Sequence, residues 1–285
     1  MSSFSFGSDP EMIIFQRSGE IRSAIGILPT KDNAVRDKYG NSFYYDNVLA
    51  EIAIKPAFSR DDALQNTHRA LKKLAELCGK KKFFTQASAD FPESELDCQD
   101  AKIAGCNPEW DVYTLRMIEP PPCMIDNVDG YLQFKSAFRS AGGHIHVGSE
   151  RLYNIPEMFH AIRMMDLFIA IPSLFMDTDP TSKLRRQIYG KAGSHRTPEY
   201  GLEYRVLGNF WFSSPEHFEL IYDLVEFVFH FVENKEVERF WNIREELLDA
   251  DDATEAYECF GYDVKLLQNC INDWDMEQAN KFMIF

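Results

Sequence analysis

The sequence predicts an α+β fold in one domain spanning residues 1–285. Strand-like alternation at 4–28, 43–55, 141–149 and 201–212 is separated by helical periodicity at 59–78, at 156–176 and from 214 onward. Of the 285 residues, 45% are hydrophobic and 14% aromatic, which supplies a core and excludes disorder as the main state. No Gly/Ser-rich linker divides the chain.

The first strands flank Gly7-Ser8-Asp9-Pro10-Glu11 and stop at Gln16-Arg17-Ser18-Gly19. Residues 43–55 read as one strand, with Asn47, Glu51 and Lys55 on one face and Val48, Ala50, Ile52 and Ile54 toward the other. Ser59, with Asp62 three residues on, opens a helix whose apolar positions recur from Ala63 to Cys78, and Gly79 closes it. Residues 85–130 are rich in Pro, Asp, Glu and Gly without periodicity, the pattern of a long loop that covers a site or is partly disordered. A strand follows Gly142-Gly143, then a helix over 156–176 that Pro172 is expected to bend or end. A polar loop carries Arg185, Arg186 and Arg196, and a strand runs from Gly201 to Phe212. Ser214-Pro215-Glu216 opens a helix with Leu220, Leu224, Val228 and Phe231 on one face. About 233–285 reads as an acidic helical extension. The similarity of Gly7-Ser-Asp-Pro-Glu11 to Gly105-Cys-Asn-Pro-Glu109 is that of two Asx-Pro turns rather than a repeat.

The formal net charge of −15 excludes a protein dedicated to nucleic acid or anionic membranes. A few arginines can still form a positive pocket for a small anion. The six cysteines, at 78, 98, 106, 123, 259 and 270, include no C-x-x-C and read as free thiols. The N-terminus has neither the basic nor the apolar region of a secretory signal, and Leu167 to Met176 is too short to span a bilayer. A cytoplasmic protein is expected.

Three segments place functional groups two residues apart, hence on one face of a strand: Asp9-Pro10-Glu11, His144-Ile145-His146 and Glu203-Tyr204-Arg205. Singly, each has an ordinary explanation: a solvated acidic pair, two satisfied histidines, a salt bridge. Together with Glu51 they form a set of carboxylates and a histidine suited to hard divalent cations. Two such cations would neutralise a polyphosphate. There is no G-x4-G-K-[ST] and no G-x-G-x-x-G, so a nucleotide here would be held by metals and arginines.

The ordered segments G-S-D-P-E-M-I-I, D-N-V-L-A-E, A-G-G-H-I-H-V-G, R-R-Q-I-Y-G-K-A-G-S-H-R and G-L-E-Y-R-V-L resemble the phage-type carboxylate–amine ligases of the glutamine synthetase and glutamate–cysteine ligase superfamily. The resemblance runs from about residue 4 to about 232. It implies a curved antiparallel sheet of the glutamine synthetase catalytic type, with helices on its outer face. It also implies ATP and two or more Mg2+ or Mn2+ ions. By similarity Asp9, Glu11, Glu51, His144 and Glu203 hold the metals, Asp9 standing where Glu is commoner. His146 lies near the nucleotide, Arg205, Arg196 and Arg186 face the transferred phosphate, and Tyr189 and Gly190 shape that loop.

The implied reaction activates a carboxylate as an acyl phosphate, which an amine then attacks, with metals and arginines neutralising charge. The substrates would be a small-molecule or peptide carboxylate and amine. Asp90, Glu109 or Asp111 is a candidate acceptor of the amine proton. A phosphotransferase acting on a carboxylate or guanidino group, and a nucleotide- or amino-acid-binding protein, are the alternatives.

Overall fold

The computed structural model describes residues 4–104, 109–233 and 263–283, and side chains within 231–233 are not described. Cys106, Cys259, the turn at 105–108, the side chain of Phe231 and the part of the helical extension between 234 and 262 lie outside these residues. The described cysteines 78, 98, 123 and 270 are free thiols.

A 12-stranded sheet organises the chain. Its main path runs, edge to edge, through Arg116–Ile118, Glu109–Asp111, Ser194–Arg196, Gly201–Tyr204, Ile145–Gly148, Ser5–Ser8, Leu49–Ala57, Glu11–Phe15 and Ile21–Arg22. Every strand pair within it is antiparallel. Ser5–Ser8 and Glu11–Phe15 both pair with Leu49–Ala57, so Asp9-Pro10 interrupts a single run. Proline has no N–H for the ladder, which explains the break.

Alternation sorts the two faces of the sheet. Phe6, Met12, Ile14, Ile52, Ile145, Val147, Leu202 and Tyr204 are buried in the main core. They pack with the helices Arg60–Cys78, Ile155–Met176 and Pro215–Glu233. The first helix starts as expected, with the Ser59 side chain accepting from the Asp62 N–H, and ends at Gly79 with φ 64°. The opposite face carries the polar residues of the same strands. It is flanked by a smaller apolar cluster that includes Ile13, Val48, Phe91 and Ala141.

Several expectations are corrected. Residues 43–55 form two strands, Ser42–Asp46 and Leu49–Ala57, joined by a tight turn in which Asn47 has φ 53°. Asn47 therefore does not share a strand face with Glu51; its amide donates to the carbonyls of Asp100, Ala101 and Ile103. Residues 85–130 hold short strands and helical turns, each too short to show a period. Pro172 does not end its helix, which runs on to Met176. A π-helical turn at Asp166–Ala170 precedes it and accommodates a ring that would strike a regular α-turn. The resulting Ile155–Met176 helix is long and apolar enough to cross a bilayer, yet 72% of its most apolar window is buried inside the protein, as in a core helix. The Gly201 strand stops at Tyr204. On the Pro215 helix Leu220 is exposed, and Phe218, Ile221, Tyr222, Val225, Val228 and Phe229 face the core. The helix Val264–Asp273 joins the same core through Val264, Leu267, Cys270 and Ile271.

Asp166 is a fully buried carboxyl behind the polar face, accepting from Tyr204 Oη at 2.6 Å and Tyr113 Oη at 2.8 Å. Burial pushes its pKa up to about 7 even though both hydroxyls oppose the shift. A carboxyl raised in the folded state binds more protons there than when unfolded. Its contribution to stability is therefore full below about pH 4 and is lost as pH rises toward 7, by at most about 4 kcal/mol. Urea midpoints measured at several pH values should fall across this window in the native protein. They should fall less in Asp166→Asn; an unchanged pH slope would remove Asp166 as the cause.

Candidate active site

The antiparallel register assembles the polar face. His146 pairs with Gly7 on one side and with Glu203 on the other, and Glu203 pairs with Arg196. One step along, Asp9, His144 and Arg205 continue the same rows on the same face, because each lies two positions from its neighbour in the first row. Glu11 pairs with Glu51, which pairs with Tyr44. Gly142 leaves room for His144: a Cβ there would lie 2.3 Å from the imidazole Nε2.

Two acidic groups result. In the first, Asp9, His146 and Glu203 offer ligand atoms within 4.8 Å of one another. Asp9 Oδ1 lies 3.0 Å from His144 Nδ1 and 3.2 Å from His146 Nε2. Burial alone would raise the Asp9 pKa, but His146 and His144 hold it well below the usual range. Burial, with Arg205 close by, lowers the pKa of His144. Burial also opposes charge on His146, but Asp9 outweighs it and raises the pKa. In the second group, Glu11, Asp46 and Glu51 come within the same 4.8 Å. Burial and then the Asp46 charge push Glu11 up to about 7. Burial and then Asp9 push Glu51 well above the carboxylate range, and burial raises Asp46. Lys31 Nζ, 3.9 Å from Glu51 and largely exposed, is the cation beside this group.

Arg205 ties the face together. Its side chain is 4% exposed and contacts Glu203 Oε1 and Tyr189 Oη. Its Nε donates to Glu109 Oε1 at 2.5 Å, and Ser194 Oγ donates to Glu109 Oε2 at 2.7 Å. Burial would raise the Glu109 pKa, but Arg205 with the Tyr189 and Ser194 hydroxyls brings it to about 2. Glu109 is thus a partner for Arg205 and a poor proton acceptor. Asp90 is exposed on the strand Ser88–Asp90, and Asp111 accepts from its own turn at Tyr113 and Thr114. None of the three candidate bases is a wall of the cleft.

The cleft has a volume of about 130 Å³. Asp9, Glu11, Asp46, Glu51, His144, Tyr189, Arg196 and Arg205 line it from the sheet side, and Pro120, Pro121, Met124, Ile125 and Phe134 face them. Four of these, Pro120, Pro121, Met124 and Ile125, come from the segment 85–130. His146 lies beside the cleft, stacked on Tyr200 with ring centroids 5.6 Å apart.

Residues 127–258 match the family model of the phage phiEco32-like COOH.NH2 ligase, type 2. The match supports assignment to a carboxylate–amine ligase family. It spans the histidine strand, the arginine loop and Glu203–Arg205, while Asp9, Glu11, Asp46 and Glu51 precede it. No curated protein matches the chain.

Within the matched segment the expected role of the arginine loop is corrected. Arg186 does not reach the cleft. It is buried, donates to the Gly190 carbonyl and lies over the Trp274 ring. Arg185 is buried as well and donates to the Val206 carbonyl at 3.0 Å. Gly190, at φ 68°, leaves the space that Arg185 fills, since a Cβ there would lie 2.2 Å from the guanidinium. These residues brace the end of the Glu203 strand, and Tyr189 is the one among 185, 186, 189 and 190 that lines the cleft. Asn272 adds a second brace by accepting from the Ala192 N–H at 2.8 Å.

Sequence reasoning missed Asp46 and the pairing of Glu109 with Arg205. The Asp46-Asn47 dipeptide is a turn signal that marks Asp46 as the end of a hairpin strand opposite Glu51. His146 belongs to the first trio, and His144 Nδ1 lies 3.0 Å from Asp9 and 3.7 Å from Glu203, so both histidines of the strand adjoin the same carboxylates.

Under the metal-dependent use of ATP that the sequence resemblance implies, His144→Ala and His146→Ala should each lower turnover more than His230→Ala, which alters an exposed position on the Pro215 helix. Turnover of the three folded variants provides the comparison, and equal losses would make the histidine strand a structural feature only.

Proposed function

We propose that the protein is an ATP-dependent carboxylate–amine ligase on a glutamine synthetase-type catalytic sheet, forming an amide or peptide bond through an acyl phosphate. The observation that carries this is one cleft lined by Glu11, Asp46 and Glu51 and by Asp9, whose trio partners His146 and Glu203 adjoin it, with Arg205 and Arg196 in the same wall. The family match supports the bond type.

The donor set fits hard divalent cations. Glu11, Asp46 and Glu51 are three carboxyls pressed together with raised pKa values, and a buried cluster of this kind is relieved by cation binding. Asp9, His146 and Glu203, with His144 adjoining, supply mixed oxygen and nitrogen donors. Mg2+ or Mn2+ held by these groups would neutralise the phosphate oxygens of ATP.

The chain's own residues account for the rest. Arg205, aligned by Glu109 and Tyr189, presents a planar fork to the transferred phosphoryl oxygens. Arg196, 3.4 Å from Glu203, adds charge on the adjoining strand. Pro120, Pro121, Met124 and Ile125 shield the acyl phosphate from water until the amine attacks its carbonyl carbon and phosphate leaves. The partners are a small-molecule or peptide carboxylate and an amine, and neither nucleic acid nor membrane suits the −15 charge. Free thiols accord with a reducing cytoplasm, that of a host cell if the gene is a phage's.

ADP release from a panel of acid and amine pairs tests the proposal. A ligase releases ADP only with both present and yields a product with the condensed mass. ADP release without an amine would indicate a phosphotransferase, and binding without turnover a sensor.

A further inference from the structure

Beside the cleft lies a second cavity of about 230 Å³. Met117, Ile118, Pro120, Leu132 and Ile188 give it an apolar wall, and Glu119, exposed, stands at its edge with Lys191. It shares Pro120, Ile188 and Tyr189 with the cleft, and Glu109 and Tyr189, two of the partners of Arg205, line it. Both Glu109 oxygens are engaged, one by Arg205 and one by Ser194. Lys191 is held toward the Asn272 carbonyl, at 3.5 Å. The cavity thus offers apolar surface with little polar recognition, immediately behind the guanidinium that faces the phosphoryl group.

We propose that the carboxylate substrate carries a branched aliphatic or aromatic side chain, which this cavity receives while its carboxylate lies at Arg205. The inference rests on the ligase reading and adds the substrate class. Continuity decides the occupant: Tyr189 lies in both walls, so a group bonded to a carboxylate at Arg205 enters the cavity past that ring. The nucleotide is the poorer fit. Its phosphates belong over the two acidic trios, and its base needs hydrogen-bonding partners that the apolar wall lacks. A second carboxylate in the substrate would meet the like charges of Glu109 and Glu119 in the lining, with Lys191 held toward Asn272.

The test uses Mg-ATP with hydroxylamine as the amine, so that an activated acid is trapped as its hydroxamate. 4-Methylpentanoate and 3-phenylpropanoate are compared with glutarate, in the native protein and in Leu132→Glu. Leu132 lies on the half-exposed hairpin of Ile125–Val128 and Tyr131–Phe134, away from the main core. The apolar acids should exceed glutarate by about tenfold or more in kcat/KM, the scale set by apolar pocket contacts. Leu132→Glu should erase that advantage with KM for ATP unchanged. Without nucleotide, 3-phenylpropanoate should raise the melting temperature of the native protein and not of Leu132→Glu. A preference for glutarate overturns the inference, as does a stabilisation by adenosine that Leu132→Glu abolishes. Leu132-sensitive stabilisation by 3-phenylpropanoate with no ADP from any pair supports the cavity assignment and sinks the ligase reading instead.

Discussion

Chelating divalent cations is expected to abolish ADP formation and lower the melting temperature, with Mg2+ or Mn2+ restoring both. The cause is the packing of Glu11, Asp46 and Glu51, whose ligand atoms lie within 4.8 Å of one another in a buried site. Burial raises all three pKa values, and their mutual repulsion adds to the cost of charging them. A cation that binds only the native state stabilises it by mass action, about 2.7 kcal/mol at a hundredfold excess over Kd. Loss of a Lewis acid beside phosphoryl oxygens removes several kcal/mol of transition-state stabilisation, so turnover should fall at least about a hundredfold. Asp46→Asn should reproduce part of both effects, because it removes one charge while keeping shape. Calorimetric melting and ADP release, with and without EDTA, provide the measurement. Full activity in excess EDTA would overturn the metal assignment.

How much of this site was legible in the sequence follows from how local each signal is. His144/His146 and Glu203/Arg205 could be paired because period-two alternation is a property of a single strand, and the apolar residues between them, Ile145 and Tyr204, do face the core. Asp46 was hidden because residues 43–55 were taken as one strand, whereas the left-handed Asn47 folds them into a hairpin. Arg186 was misplaced because its charge pointed to phosphate. Its guanidinium is instead satisfied by the Gly190 carbonyl and the Trp274 ring, the latter far along the chain. The Glu109–Arg205 pair joins positions 96 residues apart and leaves no local trace. The region 85–130 read as a loop because its strands are three or four residues long, below the length at which a period shows. Pro172 misled for a related reason: its accommodation depends on a π turn that no propensity announces.

Glu203 and Arg205 leave one strand in the same direction and contact each other, yet their substitutions should fail differently. Glu203 belongs to the first acidic group, and Arg205 faces the cleft with Glu109 and Tyr189 behind it. Glu203→Gln keeps the shape and removes the charge, so metal affinity should drop and added Mn2+ should recover part of the turnover. Arg205→Lys keeps the charge and loses the planar fork. Turnover should then fall about a hundredfold or more, as when an oriented transition-state contact is removed, while metal binding persists. A purely structural pair predicts otherwise. The pair is buried, with exposures of 9% and 4%, and breaking such a pair costs roughly 3–5 kcal/mol. Both variants would then lose stability together, and each would turn over normally well below its melting temperature. Arg205→Lys retains an ion pair to Glu203 or Glu109 and should melt closer to the native protein than Arg205→Ala. Titrating Mn2+ against each variant, at a temperature where all are folded, separates the cases. Near-normal turnover in both at every metal concentration would remove this strand from the reaction, whereas Mn2+ rescue of Glu203→Gln alone would assign the cation to Glu203 and the phosphoryl group to Arg205.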